Sequence, residues 1–273
     1  MEFFGTGFSI GPLTVHYYGV IFLAGVIAGT WFFSLNGKKR GIAPETAWES
    51  LPWFLISGII GARLWHVFFP SVSSGLTFSY YLIHPIKILK TWDGGLGIPG
   101  GILGALVGIW LFCRKYQFSF SSFVDSMAPA LAFGHAIGRW GNFINQELYG
   151  APSNLPWAIH IDPEYRMEPY LNQATYHPLF LYEMIYNLLN MVLLLCIDRK
   201  FKKSLKKGDI LLSYLVIYPF GRFVLEFLRL DTAKMGGLNV NQMFMAVTAL
   251  FALAALIVRH RKGFSFSKSK IEQ

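Results

Sequence analysis

Charge is scarce in this sequence. Only 14% of its 273 residues are Asp, Glu, Lys or Arg, against about 25% in an ordinary soluble domain. With 53% hydrophobic and 17% aromatic residues, that shortage excludes a disordered chain and argues against a cytosolic domain. Cysteine is scarcer still. The two cysteines, Cys113 and Cys196, lie in apolar runs and read as small core hydrophobes, so a disulfide scaffold is excluded. No repeat of 20–50 residues and no low-complexity segment is present. The first apolar run lacks a basic flank and a small-residue cleavage site, so it does not read as a removable signal peptide.

Long apolar runs are abundant. A bilayer core needs roughly 20 apolar residues per helix. Seven stretches meet that standard, at about 17–35, 49–69, 96–113, 123–143, 179–197, 209–229 and 240–258. The excess of basic over acidic residues, 24 against 15, suggests nucleic acid, but composition points to a membrane first. The placement of the charges decides the matter. One set of alternate flanks carries 16 Lys and Arg, the other four. By the positive-inside rule the rich side is cytoplasmic, with the N-terminus outside and the C-terminus inside. The charge is thus a topology signal with a bias toward anionic membrane lipids, and no nucleic-acid partner is expected. The expected fold is an all-α polytopic membrane protein forming a single domain over 1–273. The loop 144–178 is a small extracytoplasmic insertion, with a short strand expected at 157–162, and 259–273 is a basic cytoplasmic tail.

The four remaining basic residues, Arg63, Arg139, Arg222 and Arg229, lie within or at the ends of spans. Charge inside a bilayer is costly and calls for a reason. Arg63, Arg139 and Arg222 all fall in the outer half, with Asp93, Glu147, Glu183 and Glu226 at similar depth. A structural reading is open for each: Arg222 and Glu226 can pair at i, i+4, and an arginine near a helix end can snorkel. Three at one depth favour an anion site. A phosphate suits the planar guanidinium fork, and a phospholipid headgroup is the anion found at that depth.

Two glycine-rich runs stand out. Residues 94–101 contain a formal G-x-G-x-x-G, but no strand precedes it, which excludes a dinucleotide fold. Either the opening glycines present bare N–H groups to an anion, or Gly97, Gly100, Gly101, Gly104 and Gly108 form ladders for close helix packing. The second run, 134–150, is the most polar in any span. His135, Arg139 and Asn142 fall on one helical face at i, i+4 and i+7. His135 also admits a plainer reading, as a hydrogen-bonded core histidine.

Residues 138–150 match every fixed position of G-R-x-G-N-F-x-N-x-E-x-x-G, and here the chain resembles the prolipoprotein diacylglyceryl transferases. Further landmarks follow in order: Tyr17-Tyr18-Gly19, Gly61-Ala62-Arg63, Trp92-Asp93-Gly94-Gly95, His177-Pro178 with Tyr182-Glu183, residues 222–229, and Gln242. The resemblance covers roughly residues 12–258. It implies transfer of a diacylglyceryl group from phosphatidylglycerol to the lipobox cysteine thiol of a preprolipoprotein, in the bacterial cytoplasmic membrane. No metal, nucleotide or redox cofactor is implied. Arg139 is carried over as the principal lipid contact, with Arg222 beside it for the developing phosphate charge. Tyr18, Arg63, Gly100, Gly101, Asn142, Asn145, Glu147, Gly150, His177 and Glu226 complete the implied substrate site. Of these, His177 is expected to position the loop.

One position departs from the family. Many members carry His before the Gly-Gly that opens the third span, and it has been regarded as a catalytic base; here it is Pro99. Three explanations stay open: no base is needed, His135 serves instead, or the chain is an impaired or specialised paralogue. A transporter or lipid-binding protein of similar topology is the runner-up. The lack of an inverted repeat and the collection of polar residues at one face disfavour transport.

Overall fold

The computed structural model describes residues 2–11, 13–70, 74–232 and 234–261. The tail from 262 onward, expected to be cytoplasmic, lies outside the described residues, as does the side chain of Asp93. Nine helices are assigned among them: α1 Tyr17–Gly37, α2 Pro44–Phe68, α3 Phe78–Ile83, α4 Ile86–Leu89, α5 Ile98–Lys115, α6 Phe120–Ile144, α7 Leu179–Lys200, α8 Asp209–Leu225 and α9 Val240–His260. Six described helical stretches are long and apolar enough to cross a membrane: Tyr17–Arg40, Pro44–Phe68, Ile98–Lys115, Leu179–Lys200, Asp209–Leu228 and Val240–His260. The seventh expected span is α6, 25 residues long and not among the six. Asp125, Ser126, His135, Arg139 and Asn142 dilute its hydropathy.

The apolar residues point outward to a degree that water does not permit. Phe22, Leu23, Ile27 and Trp31 of α1, Ile56, Ile59 and Ile60 of α2, and Phe244, Val247, Leu250 and Phe251 of α9 are all exposed. Long helices satisfy their own backbone and can offer such faces to lipid. The protein is a multi-pass membrane protein. Among the described residues three small antiparallel sheets qualify the all-α expectation: β1 Glu2–Phe4, β2 Gly7–Ile10 and β3 Leu13–His16 pair in that order, β4 Ile159–His160 with β5 Thr175–Tyr176, and β6 Lys234–Met235 with β7 Leu238–Asn239. The strand expected at 157–162 is present but shortened to two residues.

The chain divides into two compact units, residues 22–134 and residues 1–21 with 135–273. In the first, α2 lies along α5. The contact is almost backbone on backbone. A Cβ on Gly61 would sit 2.3 Å from the Gly100 carbonyl oxygen, one on Gly104 2.2 Å from that of Ser57, and one on Gly108 2.4 Å from that of Trp53. Of the two readings of this glycine run, close packing thus accounts for Gly100, Gly104 and Gly108. Pro99 stands in the first turn of α5, where its missing N–H leaves no helical bond unmade. In the same unit α1 and α6 approach through Gly25, Gly29 and Gly134, and the Asn36 amide donates to the Ser126 carbonyl at 3.1 Å.

In the second unit α7, α8 and α9 follow one another. At one end of the α8–α9 hairpin, the buried Asp209 carboxylate accepts from the Lys206 backbone N–H, Arg259 Nε at 2.9 Å and His260 at 2.7 Å. At the other, β6–β7 turns through Gly236 and Gly237, both at positive φ, and Asn239 caps α9. Segment 145–178 has its own small core of Tyr149, Ile161 and Tyr176. The Gly150 N–H donates to the His177 carbonyl, and the Ala151 N–H to that of Leu228.

Gly104→Ala should lower the unfolding free energy in detergent by about 1–3 kcal/mol, the usual penalty for overpacking. Gly138→Ala, with nothing within 4 Å of the added Cβ, should not. Equal chemical-denaturation midpoints for both variants would show that the α2–α5 contact tolerates separation.

Candidate functional site

The polar run of the sequence forms the second half of α6 and the turn after it. Arg139 sits among three side chains. Its Nε donates to His135 Nε2 at 3.0 Å, and Nη2 also contacts that nitrogen. Its Nη1 donates to Asn142 Oδ1 at 3.0 Å and stands 3.5 Å from Glu183 Oε2 on α7. These contacts follow from the helix repeat, which stacks residues 135, 139 and 142 on one face. The chain then doubles back. Gln146 and Leu148 adopt φ of 50° and 54°, and the Gln146 side chain is held by Asp162, with Nε2 donating to Oδ2 at 2.6 Å. This tight reversal brings Glu147 under the helix end, where its Oε1 accepts from Asn142 at 2.7 Å and from Asn145 at 3.5 Å. Phe143 stacks on Phe180 with ring centroids 4.7 Å apart, fixing the end of α6 against the start of α7.

Glu183 is buried and receives several groups at once. Tyr218 Oη of α8 donates to Oε1 at 3.2 Å, and His135 Nε2 is 3.6 Å from the same oxygen. Tyr214 stacks on Tyr218 with centroids 5.6 Å apart, and the Tyr218 ring lies 5.1 Å from that of His135. Arg222 follows one turn after Tyr218 on the same helix. Its Nη2 pairs with Glu226 Oε2 at 2.9 Å. Glu226 is itself nearly inaccessible, 2% exposed, and also holds Arg229 at 3.8 Å and the Asn241 amide at 3.1 Å. An unpaired carboxylate there would carry a desolvation penalty of several kcal/mol. Glu226 thus fixes Arg222 and ties α8 to the start of α9.

Tyr18, Gly150 and His177 belong to the same compact unit as this cluster. The Tyr18 ring packs so closely on Gly141 that a Cβ there would fall 2.7 Å from it. Gly150 fits between His177, Leu179 and the Leu228 carbonyl, again leaving no room for a Cβ. His177 Nδ1 is 3.0 Å from Tyr182 Oη, which in turn accepts from Trp157 Nε1 at 2.8 Å. His177 therefore joins the loop to α7, a positioning contact. In the same segment burial pushes the Tyr149 phenol above its ordinary pKa, and its hydroxyl donates to the Tyr165 carbonyl at 2.7 Å.

Arg63, Gly100 and Gly101 belong to the other compact unit. Arg63 is buried, and its guanidinium is engaged by backbone. Nε donates to Ile88 O at 2.9 Å, Nη1 to Gly94 O at 2.6 Å and Gly95 O at 3.0 Å, and Nη2 to Lys87 O. The arginine expected to meet an anion therefore meets carbonyl oxygens and folds the segment before α5. It also lines an open cavity of about 630 Å³ with His66, Tyr80, Tyr81 and Lys87. Gly100 meets α2, as described above, and Gly101 faces Ala62.

Glu183 was visible in the sequence as an acidic group at the right depth, but its partners were not. Tyr218 was missed. Its signal is there in retrospect: Tyr214, Tyr218 and Arg222 recur every four residues and mark a polar stripe on α8. Together these side chains present a cation ringed by hydrogen-bond acceptors beside a neutral imidazole. Such an arrangement can bind a phosphate and accept a proton next to it.

Comparison with known proteins agrees with the motif. A family model described as prolipoprotein diacylglyceryl transferase matches residues 6–258. Proteins named phosphatidylglycerol--prolipoprotein diacylglyceryl transferase are similar over most of the chain. The one from Frankia alni is 39% identical over 253 residues, 92% of this chain and 65% of its own length. That from Frankia casuarinae is 39% identical over 91% of this chain and 59% of its own length. That from Cutibacterium acnes is 40% identical over 93% of this chain and 84% of its own length. The chain thus spans about two thirds or less of the two Frankia relatives and most of the third. With nearly all of its residues matched by the model and the signature at 138–150 folded around Arg139, the chain belongs to the prolipoprotein diacylglyceryl transferase family.

Proposed function

We propose that the protein transfers the diacylglyceryl group of phosphatidylglycerol to the lipobox cysteine of preprolipoproteins, forming a thioether and releasing glycerol phosphate. The observation that carries this reading is the Arg139 cluster: one cation, held by His135, Asn142 and Glu183, inside the family's signature run. The reaction breaks a carbon–oxygen bond at the glycerol carbon that bears phosphate. Charge grows on the departing phosphate, and preorganised donors aimed at it are the largest source of rate. Arg139 and Arg222 fill that role. Asn142, Asn145 and Glu147 orient the guanidinium and the headgroup, while Tyr18, Gly150, His177 and Glu226 hold the surrounding helices and loop. Arg63, Gly100 and Gly101 shape the segment leading into α5. The attacking group is the thiolate, so the thiol must lose its proton. His135 stands next to the phosphate site and serves as acceptor, which is consistent with Pro99 where relatives carry His.

The membrane placement belongs to the same reading. α6 is the seventh span, and the chain lies in the bacterial cytoplasmic membrane. The N-terminus and segment 145–178 lie outside, the loop 198–208 and the C-terminus inside, as the basic residues imply. This puts Arg139 at the outer leaflet, where a lipobox peptide emerging from the membrane meets phospholipid headgroups.

Purified protein should move labelled diacylglycerol from phosphatidylglycerol to a lipobox peptide and not to its Cys→Ser control. Arg139→Ala should lower that rate by about 10²–10³, the scale for losing a transition-state donor, at unchanged membrane insertion. Normal transfer by the variant would remove Arg139 from the site. Lipid binding without thioether formation by the unaltered protein would favour a lipid-binding or transport role. For topology, a membrane-impermeant thiol reagent added outside should label Asn154→Cys and spare Ser204→Cys; the reverse pattern would invert the orientation.

A further inference from the structure

His135 is engaged in a way that fixes its tautomer. Two N–H groups of Arg139, on Nε and Nη2, point at the same imidazole nitrogen, Nε2. A nitrogen that accepts from an arginine bears no proton, so the neutral ring carries its proton on Nδ1. The lone pair on Nε2 is thereby covered by the guanidinium. The same nitrogen is 3.6 Å from Glu183 Oε1, a buried carboxylate oxygen that Tyr218 also holds, at 3.2 Å. The other Glu183 oxygen, Oε2, faces Arg139 at 3.5 Å. Glu183 therefore lies between the cation already present and the position where a second one would form.

We infer that Glu183 is the positioning residue that lets His135 take the proton of the substrate thiol. The inference rests on the transferase reading above. A phosphate diester arriving at Arg139 offers the guanidinium better acceptors than an imidazole and draws it off Nε2. The freed lone pair accepts the thiol proton, and the imidazolium has Glu183 Oε1 beside it, oriented by the Tyr218 hydroxyl. The thiolate sulfur forms its bond to the glycerol carbon as the carbon–oxygen bond to phosphate breaks. The electron pair leaves with glycerol phosphate, which takes the proton from His135 and restores the neutral ring. No further reactant is required. Substituting the carboxylate leaves the imidazolium without its counter-charge in a buried site, which penalises proton transfer more than lipid binding.

The test compares lipobox peptides carrying cysteine or selenocysteine, in phosphatidylglycerol vesicles, with the wild-type protein and the Glu183→Gln, Glu183→Asp and His135→Gln variants. A selenol is already ionised at neutral pH and needs no base. Glu183→Gln and His135→Gln should each lose about 10²-fold or more of kcat on the cysteine peptide, within the range for general base catalysis. They should stay within about tenfold of wild type on the selenocysteine peptide, with KM for the lipid little changed. Glu183→Asp should recover part of the loss. Equal losses on both peptides, or an undiminished rate with Glu183→Gln, would overturn the inference. If Glu183→Gln does not insert stably, His135→Gln and Glu183→Asp decide by the same comparison. Failure of the wild-type protein to transfer to either peptide would instead overturn the transferase reading itself.

Discussion

An arginine buried in a helix of a membrane protein must have its N–H donors met, because no water is at hand to meet them. Much of this structure follows from how three arginines, Arg63 buried and Arg139 and Arg222 partly so, satisfy that demand. Arg63 meets it permanently, with four backbone carbonyls. Arg222 meets it with the Glu226 side chain, 2.9 Å away. Arg139 meets it with side chains rather than backbone: an imidazole nitrogen, an amide oxygen and a carboxylate at 3.5 Å. The three therefore differ in how readily a phosphate can compete for them. The carbonyl cage of Arg63 is part of the fold, whereas the contacts of Arg139 can be exchanged for better ones.

Holding Arg139 in that state requires rigid supports, and these are made from small and aromatic residues. Gly141 and Gly150 admit the Tyr18 ring and the 177–179 backbone, so no side chain intervenes. Phe143 on Phe180 and the Tyr214–Tyr218 stack set the faces of α6, α7 and α8 that carry the polar groups. In the other unit the glycines of α5 do the same work against α2. Without a hydrophobic drive between helices in lipid, this close van der Waals contact is the available source of cohesion.

Pro99, at the position where the family resemblance implies histidine, is accommodated in the first turn of α5. Proline at the first turn of α5 suits the helix start. The histidine of the Arg139 cluster is His135, which has the Glu183 carboxylate 3.6 Å away; under the proposed function it is the group that takes the thiol proton.

Much of the architecture was legible in the sequence because its determinants are local. Twenty-residue apolar runs and the spacing of His135, Arg139 and Asn142 depend only on neighbours along the chain. The motif at 138–150 fixed the family for the same reason. The sequence could not say that Arg63 turns to carbonyls, since its depth and charge match those of the other two. Nor could it say that Glu183 and Tyr218, 35 residues apart on separate helices, converge on His135. Those outcomes depend on helix rotation and packing, which set the direction each side chain takes. Chain chemistry thus determined that arginines would stand within apolar helices, and tertiary contacts decided that Arg63 turns to backbone carbonyls and Arg139 to side chains.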